Sequence, residues 1–207
     1  MPLSLPYTFN DGVGNTASGA QVMSNLNAVN AGVAMATGTS FPTVGLIDGQ
    51  DYYYLASASL GVVWHFKYRS ASASSFKWEF VGGAPLYSEQ VTGESTSSTT
   101  FVALASGLPQ VTVPLAGDYL VRHGAQASAG SAVTAQSGIS INAATPNAAD
   151  IISDTVAGVS YVADMFRERV MTSLAVSAVL QQRYAGSAAV ATNYAQRFLS
   201  ITPVRCI

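Results

Sequence analysis

Between Phe41 and Tyr87 the large aromatic side chains fall two residues apart, and no other feature constrains the fold of this chain so tightly. The run reads FPTVGLIDGQDYYYLASASLGVVWHFKYRSASASSFKWEFVGGAPLY. It holds both tryptophans, both lysines and half of the ten tyrosines. A spacing of two is the period of a β-strand and puts alternate side chains on one face. Strands are therefore expected at Tyr52–Leu55, Val62–Arg69 and Phe76–Val81. Trp64, Phe66 and Tyr68 would share a face with Phe76, Trp78 and Phe80, while Val63, His65, Lys67 and Arg69 point the other way. Asp48-Gly49 and the Ser/Ala run 70–75 supply the turns. Three strands with one aromatic face are stable only when that face is covered. The expected cover is an N-terminal helix or a second copy of the module. The six aromatics read as the core of a small antiparallel meander rather than as a sugar-stacking surface.

Residues 1–15 carry Pro2, Pro6, Gly12 and Gly14 and read as an extended arm. Val22, Leu26, Val29 and Val33 follow at spacings of four, three and four, which is one stripe of a helix with heptad-like seam positions. Thr16 or Ser18 can cap its start and Gly38 can end it. No charged residue lies between Asp11 and Asp48, so this helix has no salt-bridging pairs and little stability alone. It is expected to form when packed against copies of itself or against a neighbouring protein. Residues 1–40 thus read as an attachment segment.

Beyond Gly82-Gly83-Ala84-Pro85, read as a hinge, residues 88–207 are all-β in pattern. Thr100–Ala105, Gln110–Val113, Gly117–Ala125, Ala132–Ala143, Val170–Val176, Ala178–Tyr184 and Arg197–Val204 are each rich in strand formers and bounded by turn residues. Many short strands imply a sandwich or barrel. Asp150–Glu168 is irregular and reads as a short helical turn or a loop. The expected domains are 1–40, 41–87 and 88–207.

Charge says how such a body must live. Only 10% of residues are charged and the mean hydropathy is +0.29, against roughly 25% charged residues in ordinary soluble domains. No run approaches the ~20 apolar residues of a membrane span. Such a chain is expected to hide surface against other protein, in a multi-subunit assembly. The net charge of −2 argues against a nucleic-acid partner. A single cysteine, Cys206, excludes an internal disulfide framework and fits assembly in a reducing cytosol. It reads as a small apolar residue of a terminal strand.

The aromatic run, from Asp48-Gly49-Gln50 through Trp78-Glu79-Phe80-Val81-Gly82-Gly83, resembles a module of tail-fibre and minor structural proteins of bacteriophages. Val113-Pro114-Leu115, Gly117-Asp118-Tyr119-Leu120-Val121 and Leu199-Ser200-Ile201-Thr202-Pro203-Val204 resemble the jelly-roll heads of phage fibres, which are similar to the trimeric heads of the tumour necrosis factor and complement families. The resemblance implies a virion structural protein: a homotrimer with an anchoring N-terminal segment, a small aromatic module and a jelly-roll head that contacts a host glycan or protein. A head fibre or capsid decoration protein is the alternative.

Gly12-Val13-Gly14-Asn15-Thr16-Ala17 matches a relaxed dinucleotide fingerprint, but no acidic residue follows at the distance that would hold a ribose. His65 and His123 lie on different expected strands, without ligand spacing. No nucleophile elbow occurs, and Asp48 and Asp51, the closest carboxylates, read as turn chemistry. No enzyme activity, cofactor or metal is expected. Asp164, Arg167, Glu168 and Arg169 form the one charge cluster, expected to make salt bridges between subunits, with sugar contact as the second reading.

Overall fold

The computed structural model describes residues 37–105, 107–158 and 161–207. The expected arm and helix, with the seam residues Val22, Leu26, Val29 and Val33, lie outside them. Gly38–Ile207 form one compact unit. Its strands are β1 (Thr37–Gly38), β2 (Asp51–Ser57), β3 (Val62–Tyr68), β4 (Trp78–Gly83), β5 (Leu86–Gln90), β6 (Glu94–Thr96) and β7 (Gln110–Thr112). They continue with β8 (Gly117–Ala129), β9 (Val133–Ile141), β10 (Ile151–Val156), β11 (Val162–Leu174), β12 (Val179–Gly186) and β13 (Thr192–Cys206). The one helical element among the described residues is a single 3₁₀ turn, Ala148–Asp150, capped by Asn147.

Two sheets make the body. The larger has the order β1–β2–β3–β4–β13–β8–β11, with β5 and β6 also pairing with β13. The smaller has the order β10–β9–β12–β7. From β7 onward the chain crosses repeatedly between the sheets, with only β9 and β10 consecutive in the same one, and their inner faces share side chains. Val121, Leu199 and Ile201 of one meet Val111, Ile139 and Leu180 of the other in a single buried cluster.

The aromatic face lies in that same cluster, which corrects two expectations. Trp64, Phe66 and Trp78 are buried with Tyr52 and Tyr54, and Tyr68 and Phe80 pack on them. Their cover comes from the same unit. Phe41 sits against four rings, with centroids 4.9 Å from Tyr52, 5.6 Å from Tyr54, 5.2 Å from Phe66 and 4.7 Å from Trp78. Trp64 reaches Tyr119 of β8 at 6.2 Å, and the Tyr54 hydroxyl donates to the Pro114 carbonyl at 3.3 Å. Phe76 precedes β4 and is only half-buried.

The expected hinge is a bulge within the sheet. Trp64 and His65 pair with Gly83 and Gly82, but Phe66 pairs with Phe80, so Val81 is the extra residue. Gly83 has φ +134°, and a Cβ there would stand 2.5 Å from the Val63 carbonyl. Only glycine fits that approach. The chain then passes directly into β5 and onto β13, and module and head share one core.

Two further segments differ from expectation. Asp150–Glu168 is strand for most of its length, forming β10 and the first half of β11. Thr100–Ala105 contributes a single bridge, Val102 to Tyr184.

A second buried cluster lies deeper in the head and is made differently. Ala125, Ala127, Ala129, Ala135 and Ala163 line it, with Met165, Tyr184 and Tyr194. Small side chains let polar groups share the space. Gln182, fully buried, donates to the Gly124 carbonyl at 3.0 Å and to the Ser137 hydroxyl at 3.3 Å, and accepts from the Tyr184 hydroxyl at 2.9 Å. Arg197, also fully buried, donates to the carbonyls of Thr92 and Gly107 and lies 5.7 Å from the Tyr184 ring centre.

Candidate functional site

The buried rings of the aromatic module belong to the core, and an open aromatic face lies on the outer side of the large sheet. There the residues not facing the core come from β11, β8, β13 and β5, four strands that lie side by side. Phe166 of β11 and Phe198 of β13 both pair with Gly124 of β8, and Phe198 also pairs with Glu89 of β5. One cross-strand row therefore reads Phe166–Gly124–Phe198–Glu89. Without a side chain at position 124 the two rings lean together, 6.3 Å apart and inclined by 26°. A Cβ there would stand 2.7 Å from the Phe198 ring and 2.6 Å from the Met165 carbonyl. Tyr87 continues the ribbon, 6.2 Å from Phe198 and inclined by 24°.

The ribbon is open to solvent. Phe166 is 59% exposed and Tyr87 48%, beside Val162 and Val170 on the same strand face as Phe166. A monomeric soluble protein seldom leaves such a patch uncovered unless it meets something. A groove of about 360 Å³ runs along it, with Glu89, Gln126, Asp164 and Gln196 at its rim. The Tyr87 hydroxyl donates to the Glu89 carboxylate at 2.8 Å. Burial of the hydroxyl and the neighbouring carboxylate both raise the Tyr87 pKa, so the phenol stays protonated.

A bulge shapes the groove. The pairing of β13 with β8 shifts between Ala195 and Phe198, and Gln196 takes a left-handed φ of +49°. The extra residue restores alternation so that Arg197 enters the core while Gln196 is exposed and Phe198 half-buried. Bulges commonly re-aim side chains beside sites.

The charge cluster divides between the faces of β11. Asp164 and Glu168 are exposed; Arg167 and Arg169 turn inward. Glu168 pairs with Arg122 of β8, and Arg169 with Asp150 at 2.7 Å. Arg167 donates to the Ile151 carbonyl at 3.1 Å. The four residues do not bond to one another, and three of them are engaged within the chain. Asp164 is left at the groove.

Behind this face sits His123, 2% exposed on the inner side of β8, with its Nδ1 unpartnered. Burial, reinforced by the Arg167 charge, pushes its pKa down to about 4. It is neutral at pH 7. Burial likewise pushes the Cys206 thiol up to about 12, so it is a packed, protonated side chain and no nucleophile. Asp51, which accepts from His65 at 2.7 Å and lies 3.4 Å from Lys67, is a surface pair on the outer side of β2–β3.

The residues of the groove were beyond sequence reasoning because they come from four strands between positions 87 and 198. Only Asp164 had been singled out, for its charge.

No family model and no curated protein matches the sequence. Among solved structures the chain is similar to dimeric latent PorU from Porphyromonas gingivalis, with 16% identity and a TM-score of 0.32, over 66% of this chain and 14% of that one.

Proposed function

We propose that this chain is a bacteriophage virion structural protein, a homotrimeric tail fibre or tail-tip protein whose β head meets the host surface. Residues 1–40 join it to other virion proteins, with Val22, Leu26, Val29 and Val33 as the trimer seam. The head is a jelly roll. The order of strands supports this: β5/β6–β13–β8–β11 against β7–β12–β9–β10, with the chain crossing between layers at every step but β9 to β10, fits two interlocked Greek keys. The observation that carries the attachment role is the open aromatic ribbon Phe166–Phe198–Tyr87 beside a groove with a polar rim.

A map of the virion locating the protein, together with binding of purified full-length chain to host cells, tests the proposal. Density at the tail and saturable binding are expected. Density on the capsid shell without cell binding would make it a head fibre or decoration protein. Sedimentation of a stable monomer at micromolar concentration would overturn the trimer.

A further inference from the structure

We propose that the groove over Gly124 is a binding site for a neutral saccharide, with the rings of Phe198 and Phe166 as its apolar lining. The inference rests on the attachment reading and names the ligand class that this face would take. A sugar ring is a flat body with an apolar C–H face and a rim of hydroxyls. Its C–H bonds carry partial positive charge, which suits the negative face of an aromatic ring. Phe166 and Phe198 are inclined by 26° to each other, and Tyr87 by 24° to Phe198, so the three form one row of near-parallel rings along the groove.

The rim supplies what a hydroxyl-rich ligand requires. Asp164 is exposed and makes no hydrogen bond or ion pair with the other described residues. Glu89 is held by the Tyr87 hydroxyl, which fixes one acceptor beside the rings. The amides of Gln126 and Gln196 can each donate and accept. An apolar lining with a few placed polar groups is the usual make-up of a small-ligand site.

Charge selects among sugars. None of the described residues lining the groove is basic. Arg122, on the neighbouring row, is held by Glu168. An acidic sugar would meet two carboxylates and no cation, and like-charge contact of this kind excludes ligands. The same electrostatics disfavour a second copy of the chain as occupant, since an apolar partner surface would bury Asp164 and Glu89 without cations.

Full-length protein titrated by calorimetry with a panel of neutral tetrasaccharides ending in glucose, galactose or N-acetylhexosamine tests this, with a sialylated tetrasaccharide as the acidic control. At least one neutral sugar should bind in the millimolar to high-micromolar range, and the acidic control should not. Phe166→Ala, an exposed position that leaves folding intact, should weaken binding about tenfold or more through loss of ring contact. Phe198→Trp should retain it, and Asp164→Asn should shift preference among the sugars. Absence of binding by every neutral sugar, or affinity unchanged in Phe166→Ala, overturns the site. So does an oligomer that Phe166→Ala dissociates, because the face would then be an interface between copies. Cell binding that survives in Phe166→Ala rejects the sugar site and leaves the attachment role standing. Sugar binding by a protein that the virion map does not contain rejects the attachment role alone.

Discussion

The two parts of the interior solve the same problem with opposite materials. Around Phe41, Trp64 and Trp78, rings fill the space and hydrogen bonds are few, confined to tips such as the Trp64 indole on the Ala84 carbonyl at 2.8 Å. Around Tyr184 and Tyr194, alanines bring the sheets close, and a buried amide, hydroxyls and a guanidinium occupy what remains. The first part gains from apolar area removed from water and depends little on geometry. The second depends on every donor meeting its acceptor, because an unpaired buried group is costly. Ring packing tolerates neighbours that shift; a satisfied network does not. The aromatic groove lies over the second part, where Gly124 carries the Phe166 and Phe198 rings on its outer side while its carbonyl accepts from Gln182.

The largest effect should come from the ring-packed part. Trp64→Ala is expected to cost about 3–5 kcal/mol in denaturant unfolding. A loss below about 1 kcal/mol would mean that this core does not hold the body together.

Acid should act through His123, which lies beside Val121, Ile139 and Met171. His123 is neutral in the fold with its pKa lowered to about 4, against an ordinary 6.5. The unfolded chain therefore binds a proton that the folded one refuses, and the stability present above pH 6.5 falls as pH drops from 6.5 to 4. The expected loss is on the order of 3 kcal/mol at pH 4. His123→Gln should flatten that limb of a stability-against-pH curve. An unchanged slope would show that His123 is charged or solvated in the fold.

Gln182→Leu should lose about 1–3 kcal/mol, since it strands the Tyr184 hydroxyl and the Gly124 carbonyl. Adding Tyr184→Phe should then cost less than it does in the parent. Additivity in that double-mutant cycle would show that the groups do not form a network. The smallest effect belongs to the surface. Arg122→Ala breaks the pair with Glu168, where both side chains are over 40% exposed, and should change stability by less than about 1 kcal/mol. A larger loss would move the charge cluster from decoration to structure.

How much of this was legible in the sequence follows the same division. The aromatic strands announce themselves because ring and polar residue alternate strictly, as in Trp64-His65-Phe66-Lys67-Tyr68. The strand through Asp164–Val170 was hidden because its inward positions include Arg167 and Arg169, which meet the Ile151 carbonyl and Asp150 instead of apolar side chains. A period-two pattern of hydrophobicity cannot show an inward arginine. Bulges did the rest. The shift at Ala195–Phe198 reverses which positions of β13 face the core, and that shift presents Phe198 to the groove. The expected hinge at Gly82–Pro85 failed for a related reason, since paired glycines mark a bulge as readily as a linker.

The 15-residue strand β13 pairs with β4, β5, β6 and β8. It sits inside the large sheet, between β4 and β8, and is built from residues 192–206. Strands β2–β4 can meet as they leave the ribosome, but β5, β6 and β8 have no common partner until residues 192–206 have been made. The body therefore closes only once residues 192–206 are available, with Trp64, Phe66 and the edges of β4 and β8 exposed until then. A chain in that interval is open to strand exchange with neighbouring copies.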